Sequence, residues 1–246
     1  MAISSIVNRG MVNEGIADAT ALATARTVGV VESAMTLNVG SGQDFTTLQE
    51  AMDWIEARIL LAPVTIQIAD GTYNMASGVG FSFRHPNYQL VSIFGNQGTP
   101  SNVTFNFSGS VSNFHIRNCR LRQLQGIKIY GGTHSIRVEY GGVIEDLAYI
   151  EASYSSSIGI FCEHNATICG NYINSHHHTS HGWFAGGQAY IFSYNASSTN
   201  NAYGFIAATG ATIRIPSTGT VNNNSAANYA PALESENTLG ALITVT

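Results

Sequence analysis

Ile158-Gly-Ile-Phe-Cys-Glu-His-Asn-Ala-Thr-Ile168 decides the reading of this chain, because the same unit is written twice more further on. One unit later, Gly182-Trp-Phe-Ala185 takes the place of Gly159-Ile-Phe-Cys162, and Ala189-Tyr-Ile191 that of Ala166-Thr-Ile168. One unit beyond that, Gly204-Phe-Ile-Ala207 and Ala211-Thr-Ile213 repeat it again. A fixed period in the low twenties marks a solenoid. Between residues 158 and 215 each unit holds short β-branched or aromatic runs broken by Gly, Asn, Ser and Thr, with no helical periodicity. The pattern predicts a parallel β-helix, one coil per repeat, each strand stacked on its counterpart in the next coil.

Stacking at about 4.8 Å turns equivalent positions into ladders. Ile160, Trp183 and Phe205 form a large apolar ladder on this reading. Cys162, Ala185 and Ala207 form a small one, and Ala166, Ala189 and Ala211 a second. Gly159, Gly182 and Gly204 belong at a corner where the backbone needs room or a positive φ. Ile136–Tyr140 and His115–Cys119 precede the clear repeats by about one and two periods.

Composition fits a solenoid and narrows function. Only 10% of the 246 residues are charged and Lys occurs once, at Lys128, so the polar surface is mostly Ser, Thr, Asn and Gln. An apolar content of 44% fills a core. A net charge of −5 with no basic patch argues against a nucleic-acid partner. No run of about 18 apolar residues predicts a membrane span, and the first residues lack a secretory pattern. Three cysteines, Cys119, Cys162 and Cys169, are no disulfide framework, and Cys162 reads as a core thiol.

The chain divides into an N-terminal segment, 1–35, and a β-helix domain, 36–246. Asn13 to Val31 is Ala-rich and predicts a marginal helix that needs copies of itself or a partner to dock on, as an attachment or oligomerisation segment. The opening module of the β-helix starts with the strand Leu37–Val39. Thr46-Thr-Leu-Gln49 has capping-box form, and Leu48, Ala51, Met52, Ile55 and Ile59 give the following helix one apolar face. Val64–Ile68, Leu90–Phe94 and Val103–Phe107 read as strands, with a turn at Asp70-Gly71. Such a helix laid over the open first coil would block edge-to-edge association. About nine coils fit between residues 37 and 246, a shaft of roughly 40–45 Å.

Val39-Gly-Ser-Gly-Gln-Asp-Phe-Thr-Thr-Leu-Gln-Glu-Ala51, with Val64–Tyr73 and Ile93-Phe-Gly95, resembles the opening of pectinesterase-like, right-handed parallel β-helix proteins, an opening that recurs in bacteriophage tailspikes and tail fibres. The resemblance covers residues 37–105 and implies fold more than activity. Pectinesterases carry an Asp-Phe-Ile-Phe-Gly block that this chain lacks, so no esterase site is carried over. The phage resemblance implies a homotrimer that binds or cuts bacterial surface polysaccharide, sits in the virion tail, and contacts other tail or baseplate proteins.

Three groups of residues could carry chemistry. Glycosidic cleavage needs two carboxylates, and Glu139 lies one coil before Glu163, with Glu145 and Asp146 expected in the intervening turn. The run Ser175-His-His-His-Thr-Ser-His181 offers His176, His178 and His181 as metal ligands, at the axis of a trimer if each chain supplies one. No cofactor is otherwise required. Tyr154 and Tyr194, expected in loops, suit stacking on sugars. Three functional readings stay open: a receptor-binding tail fibre, a depolymerase, and a purely structural virion connector. The sparse carboxylates lean away from an enzyme.

Overall fold

The structure, a computed structural model, describes residues 29–78, 80–230 and 241–245. It is an all-β parallel solenoid of about seven turns, with one α-helix among the described residues. Short strands build the first coils: β1 (Gly29–Val31), β2 (Met35–Val39), β3 (Arg58–Leu60), β4 (Val64–Ile68), β5 (Gly71–Asn74), β6 (Phe81–Phe83), β7 (Val91–Phe94), β8 (Val103–Phe107) and β9 (Ser112–Arg117). Longer strands then alternate with shorter ones: β10 (Arg120–Gly131), β11 (His134–Glu139), β12 (Val143–Ser153), β13 (Ile158–Glu163), β14 (Thr167–His176), β15 (His181–Ala185), β16 (Tyr190–Thr199), β17 (Tyr203–Ala207), β18 (Thr212–Asn222), β19 (Ala227–Ala230) and β20 (Leu242–Val245). Every strand ladder among the described residues is parallel.

One sheet runs β6-β9-β11-β13-β15-β17-β19, and a larger one runs β2-β4-β7-β10-β12-β14-β16-β18-β20 with β5 and β8 alongside. The period predicts about nine coils, but the solenoid has about seven turns; nine strands lie on the main path of the larger sheet and seven on the other. The larger sheet is also two sides, not one. The first half of β10 pairs with β7 through Gln123, Leu124 and Gln125, and its second half pairs with β8 from Lys128 onward. Between the halves stands Gly126, at φ 71°. In β12, β14 and β16 the same bend falls at Tyr149, Tyr172 and Asn195, each one period after the last and each at φ near 50°. A coil therefore has three sides: the seven-stranded side, a first arm before this bend and a second arm after it.

The other two corners are left-handed as well. Gly131, Tyr154, His177, Asn200 and Asn223 follow the second arm, one in each successive coil. Tyr140-Gly141, His164-Asn165, Gly187-Gln188 and Thr209-Gly210 precede the first arm. A non-glycine residue in this region costs about 1–2 kcal/mol, so the corners hold only because the stacked coils fix them.

The ladders read from the sequence are present in register. Phe114, Ile136, Ile160, Trp183, Phe205 and Tyr229 are consecutive partners. The Trp183 and Phe205 rings stack at 5.5 Å, those of Phe205 and Tyr229 at 5.6 Å. Val138, Cys162, Ala185 and Ala207 make the small ladder beside them. Ala166, Ala189 and Ala211 are all buried. Each fully buried large apolar side chain contributes about 1.5–3 kcal/mol.

A polar ladder fills the corner between the second arm and the seven-stranded side. The Ser155 N–H donates to His178 Nδ1 at 3.1 Å, the His178 N–H to Asn201 Oδ1 at 2.8 Å, and the Asn201 N–H to Asn224 Oδ1 at 3.0 Å. Each coil's corner amide is thus satisfied by a side chain from the next coil. The amides of Asn201 and Asn224 donate onward to the carbonyls of Ser175 and Ser198. This ladder accounts for Gly159, Gly182 and Gly204, which lie inside strands β13, β15 and β17 and are absent from the positive-φ positions. They need room and not φ. A Cβ on Gly159 would meet His178 Nε2 at 2.4 Å, and one on Gly182 would meet Ser198 Oγ at 2.0 Å and Asn201 Nδ2 at 2.7 Å.

The first turn differs. Helix α1 (Leu48–Glu56) lies in the chain between β2 and β4 and buries Leu48, Ala51, Met52 and Ile55. Its capping box is Thr47 with Glu50, one residue later than the sequence pattern placed it. The Glu50 carboxylate accepts from the N–H groups of Thr46 and Thr47 at 2.8 and 3.1 Å. The helix stops at Glu56, so Ile59, expected on its apolar face, lies instead in β3 and is half exposed. Of the helix expected over Asn13–Val31, only Gly29–Val31 falls within the described residues, and it forms β1, paired with β3. The rest of segment 1–35 up to residue 28 lies outside them. Irregularity collects late in the shaft: the β16–β18 register shifts three times, around Pro216, which has no N–H for the ladder.

Gly182→Ala is expected to lower stability by about 1–3 kcal/mol through overpacking at the corner. Gly98→Ala, where the nearest atom stands 3.6 Å from the added Cβ, is expected to stay within about 0.5 kcal/mol of the parent. Denaturant unfolding of the two variants beside the parent checks this.

Candidate functional site

The carboxylates singled out in the sequence divide between two sides of the coil. Glu139 and Glu163 are register partners on the seven-stranded side, at the ends of β11 and β13. Glu145 and Asp146, expected in a turn, lie within β12 on the first arm. Glu139 is buried and fully engaged: Arg137 donates to Oε2 from Nε at 3.0 Å and from its terminal nitrogen at 2.7 Å, and His115 Nε2 lies 2.9 Å from Oε1. Burial alone would raise the Glu139 carboxyl, but Arg137 and His115 outweigh it and bring it below the usual carboxylate range. A carboxylate held ionised in this way has no proton to offer a leaving group. Glu163 is partly exposed, 3.3 Å from His164. Glu145 pairs with Arg120 at 2.7 Å, and Asp146 accepts from the side-chain amides of Gln123 and Gln125. The set is therefore two ion pairs, a surface contact and an amide clamp.

The three candidate metal ligands fall in three environments. His176, on the outer face of the second arm, lies 3.4 Å from Glu151 and its Nδ1 is 2.7 Å from that of His177. His178 points into the core and completes the corner ladder. His181 stands on the seven-stranded side, bonded to Ser180 and stacked on Tyr203. The chain does not bring them together, and among the described residues no group of three or more His, Cys, Asp or Glu is placed to hold a metal ion. Cys162 is a buried thiol whose pKa burial pushes well up, in keeping with its place in the small ladder.

The aromatic residues form the most distinctive surface. Tyr154 is half exposed at the corner after β12. Its ring stacks on His177 at 4.8 Å and 8°, and meets its other neighbour, Tyr130, tilted at 5.1 Å and 38°. Tyr149 and Tyr172 stack at 5.2 Å and 10° along the opposite corner. The second arm thus lies between two ridges of outward rings, all on left-handed residues apart from Tyr130. Its face carries Lys128, Glu151 and His176 in adjacent coils, where His176 and Lys128 hold the Glu151 carboxyl down to about 2. Tyr194, expected in a loop, sits within β16 on the first arm, edge-on to Phe192 at 5.0 Å. Tyr172 is a ridge residue that reading the sequence does not single out, although its place one period after Tyr149 is the available signal.

Comparison with protein-family models, with curated proteins and with solved structures finds no match for this chain. Among the described residues no helix is long and apolar enough to cross a membrane.

The corner histidine gives a pH test. Burial, helped by the nearby rings of His176 and His177, pushes His178 down to about 3, and Nδ1 must stay unprotonated to accept from Ser155. An unfolded chain takes up this proton near pH 6.5, so stability is fully present above that pH and is lost as pH falls toward 3. His134, pushed down to about 4 by burial, adds the same sign. His178→Asn, which supplies the residue used at positions 201 and 224, is expected to flatten the fall between pH 6.5 and 4 relative to the parent. Unfolding midpoints measured across that range check it.

Proposed function

We propose that this chain is the glycan-binding shaft of a bacteriophage tail fibre: a right-handed β-helix, assembled as a homotrimer, with α1 covering the first coil and the segment before β2 joining it to other tail proteins. The observation that carries the reading is the pair of tyrosine-bearing ridges flanking the second arm. Exposed rings at strained backbone positions cost stability and add nothing to the core, and strain of this kind collects at functional sites. Aromatic faces beside hydroxyl and amide side chains are what sugar rings bind. The parallel solenoid, the scarcity of charge and the resemblance of residues 37–105 to tail-fibre openings support the same reading. Right-handedness is the rule for parallel crossover connections. Binding is favoured over cleavage by the ion-paired state of Glu139, which removes Glu139 as the proton donor of the pair.

The test is incubation of the purified protein with bacterial lipopolysaccharide and capsule, followed by size-exclusion chromatography of the glycan. The expected result is a glycan of unchanged length that co-elutes with the protein. Shortened glycan would replace this reading with a depolymerase, and glycan eluting apart across the tested strains would favour a structural connector.

A further inference from the structure

Both ridges lose their rings at the same coil boundary. On one corner the order along the shaft is Gly126, Tyr149, Tyr172, Asn195, and on the other Gly131, Tyr154, His177, Asn200, Asn223. The stacks therefore end together, at Tyr172 and His177, and asparagine continues both ridges. Beyond that step the second arm opens into a groove of about 540 Å³. Tyr172, 52% exposed with one face on Tyr149, stands at its head. The floor follows the outward register positions of β14, β16 and β18: Asn174 beside Ser197, then Thr199 beside Asn222.

Two properties of this groove define what it takes. Among its described lining side chains, the Tyr172 phenol is the sole ionisable group. Along the same face Lys128 is already paired with Glu151, which also faces His176 at 3.4 Å. An anionic polymer would meet no free cation among these residues, and desolvating its charge without a partner is costly. Amide and hydroxyl groups instead recur coil by coil at about 4.8 Å, close to the length of one sugar residue in an extended chain. A polyhydroxylated ligand lying along the shaft meets a fresh set of donors and acceptors at each residue, with the outer face of Tyr172 as the stacking platform for its terminal ring.

We infer that this groove is the binding subsite for a neutral polysaccharide, which lies parallel to the shaft axis with one sugar stacked on Tyr172. The inference rests on the glycan-binding reading and narrows it to one place and one class of sugar. Asn195 and Asn200 are the natural replacements for ring residues at these corners, so Tyr172→Asn removes the platform while keeping a residue suited to the left-handed backbone. Thr199→Arg puts bulk and charge on the floor.

The experiment is biolayer interferometry of the full chain against immobilised bacterial polysaccharides, one set neutral and one set rich in uronic or sialic acids. Tyr172→Asn, Thr199→Arg and, as a control away from the groove, Gly98→Ala are run in parallel. The expected result is binding confined to neutral polymers, weakened at least roughly tenfold by each groove change and left within about twofold by Gly98→Ala. Binding to acidic polymers alone, or neutral binding that survives both groove changes, overturns the groove and leaves the chain a glycan binder. Absence of binding to every polymer overturns the glycan reading and the groove with it.

Discussion

A chain that turns three times per coil must satisfy the peptide groups of every turn, and the coil-to-coil bonds at the corners are what make this solenoid possible. Buried N–H groups without partners are expensive. At the corner before the seven-stranded side each one is met by His178, Asn201 or Asn224 of the following coil. The side chain that does this occupies space where a neighbouring strand would place a Cβ, which is why glycine stands at 159, 182 and 204. Ladder and glycines form one device. Neither has a function without the other, and both recur because the coil recurs.

The same stacking sorts chemistry onto separate surfaces. Residues one coil apart become neighbours, so Glu151 meets Lys128 on one side and His176 on the other, and His115 reaches Glu139 from the preceding coil while Arg137 closes on it from two residues before on its own strand. In a chain with so little charge, nearly every described carboxylate of the shaft is already committed to a cation or an amide. What remains exposed and unpaired in character is aromatic and neutral-polar. That balance, more than any single residue, favours binding over cleavage.

How much of this can be read in the sequence depends on whether chemistry or only conformation is repeated. The Ile160–Trp183–Phe205 ladder is legible because apolar bulk recurs at one spacing, and the register bears it out. The pairing of Glu139 with Glu163 is legible for the same reason. The left-handed corners are not, since Tyr149, Tyr172 and Asn195 share a backbone angle and no side-chain property. The histidine run misleads because consecutive residues there face three ways. His176 points outward, His177 turns the corner, and His178 enters the core as the counterpart of Asn201, a kinship visible only once coils are aligned. Ile59 misleads because helical spacing continues past Glu56 while the chain has already turned to pair with β1.

The three register shifts between β16 and β18 have a mechanical meaning. The hydrogen bonds joining coils run along the shaft, so tension applied to its ends passes through every coil interface in series, and the whole is as strong as its weakest junction. Between β10 and β12, or β13 and β15, the ladder is continuous. At Pro216 it is interrupted. A load on this rod is therefore released first near its C-terminal end, before it reaches the single shift in the ladder between β12 and β14, where the ridges stand.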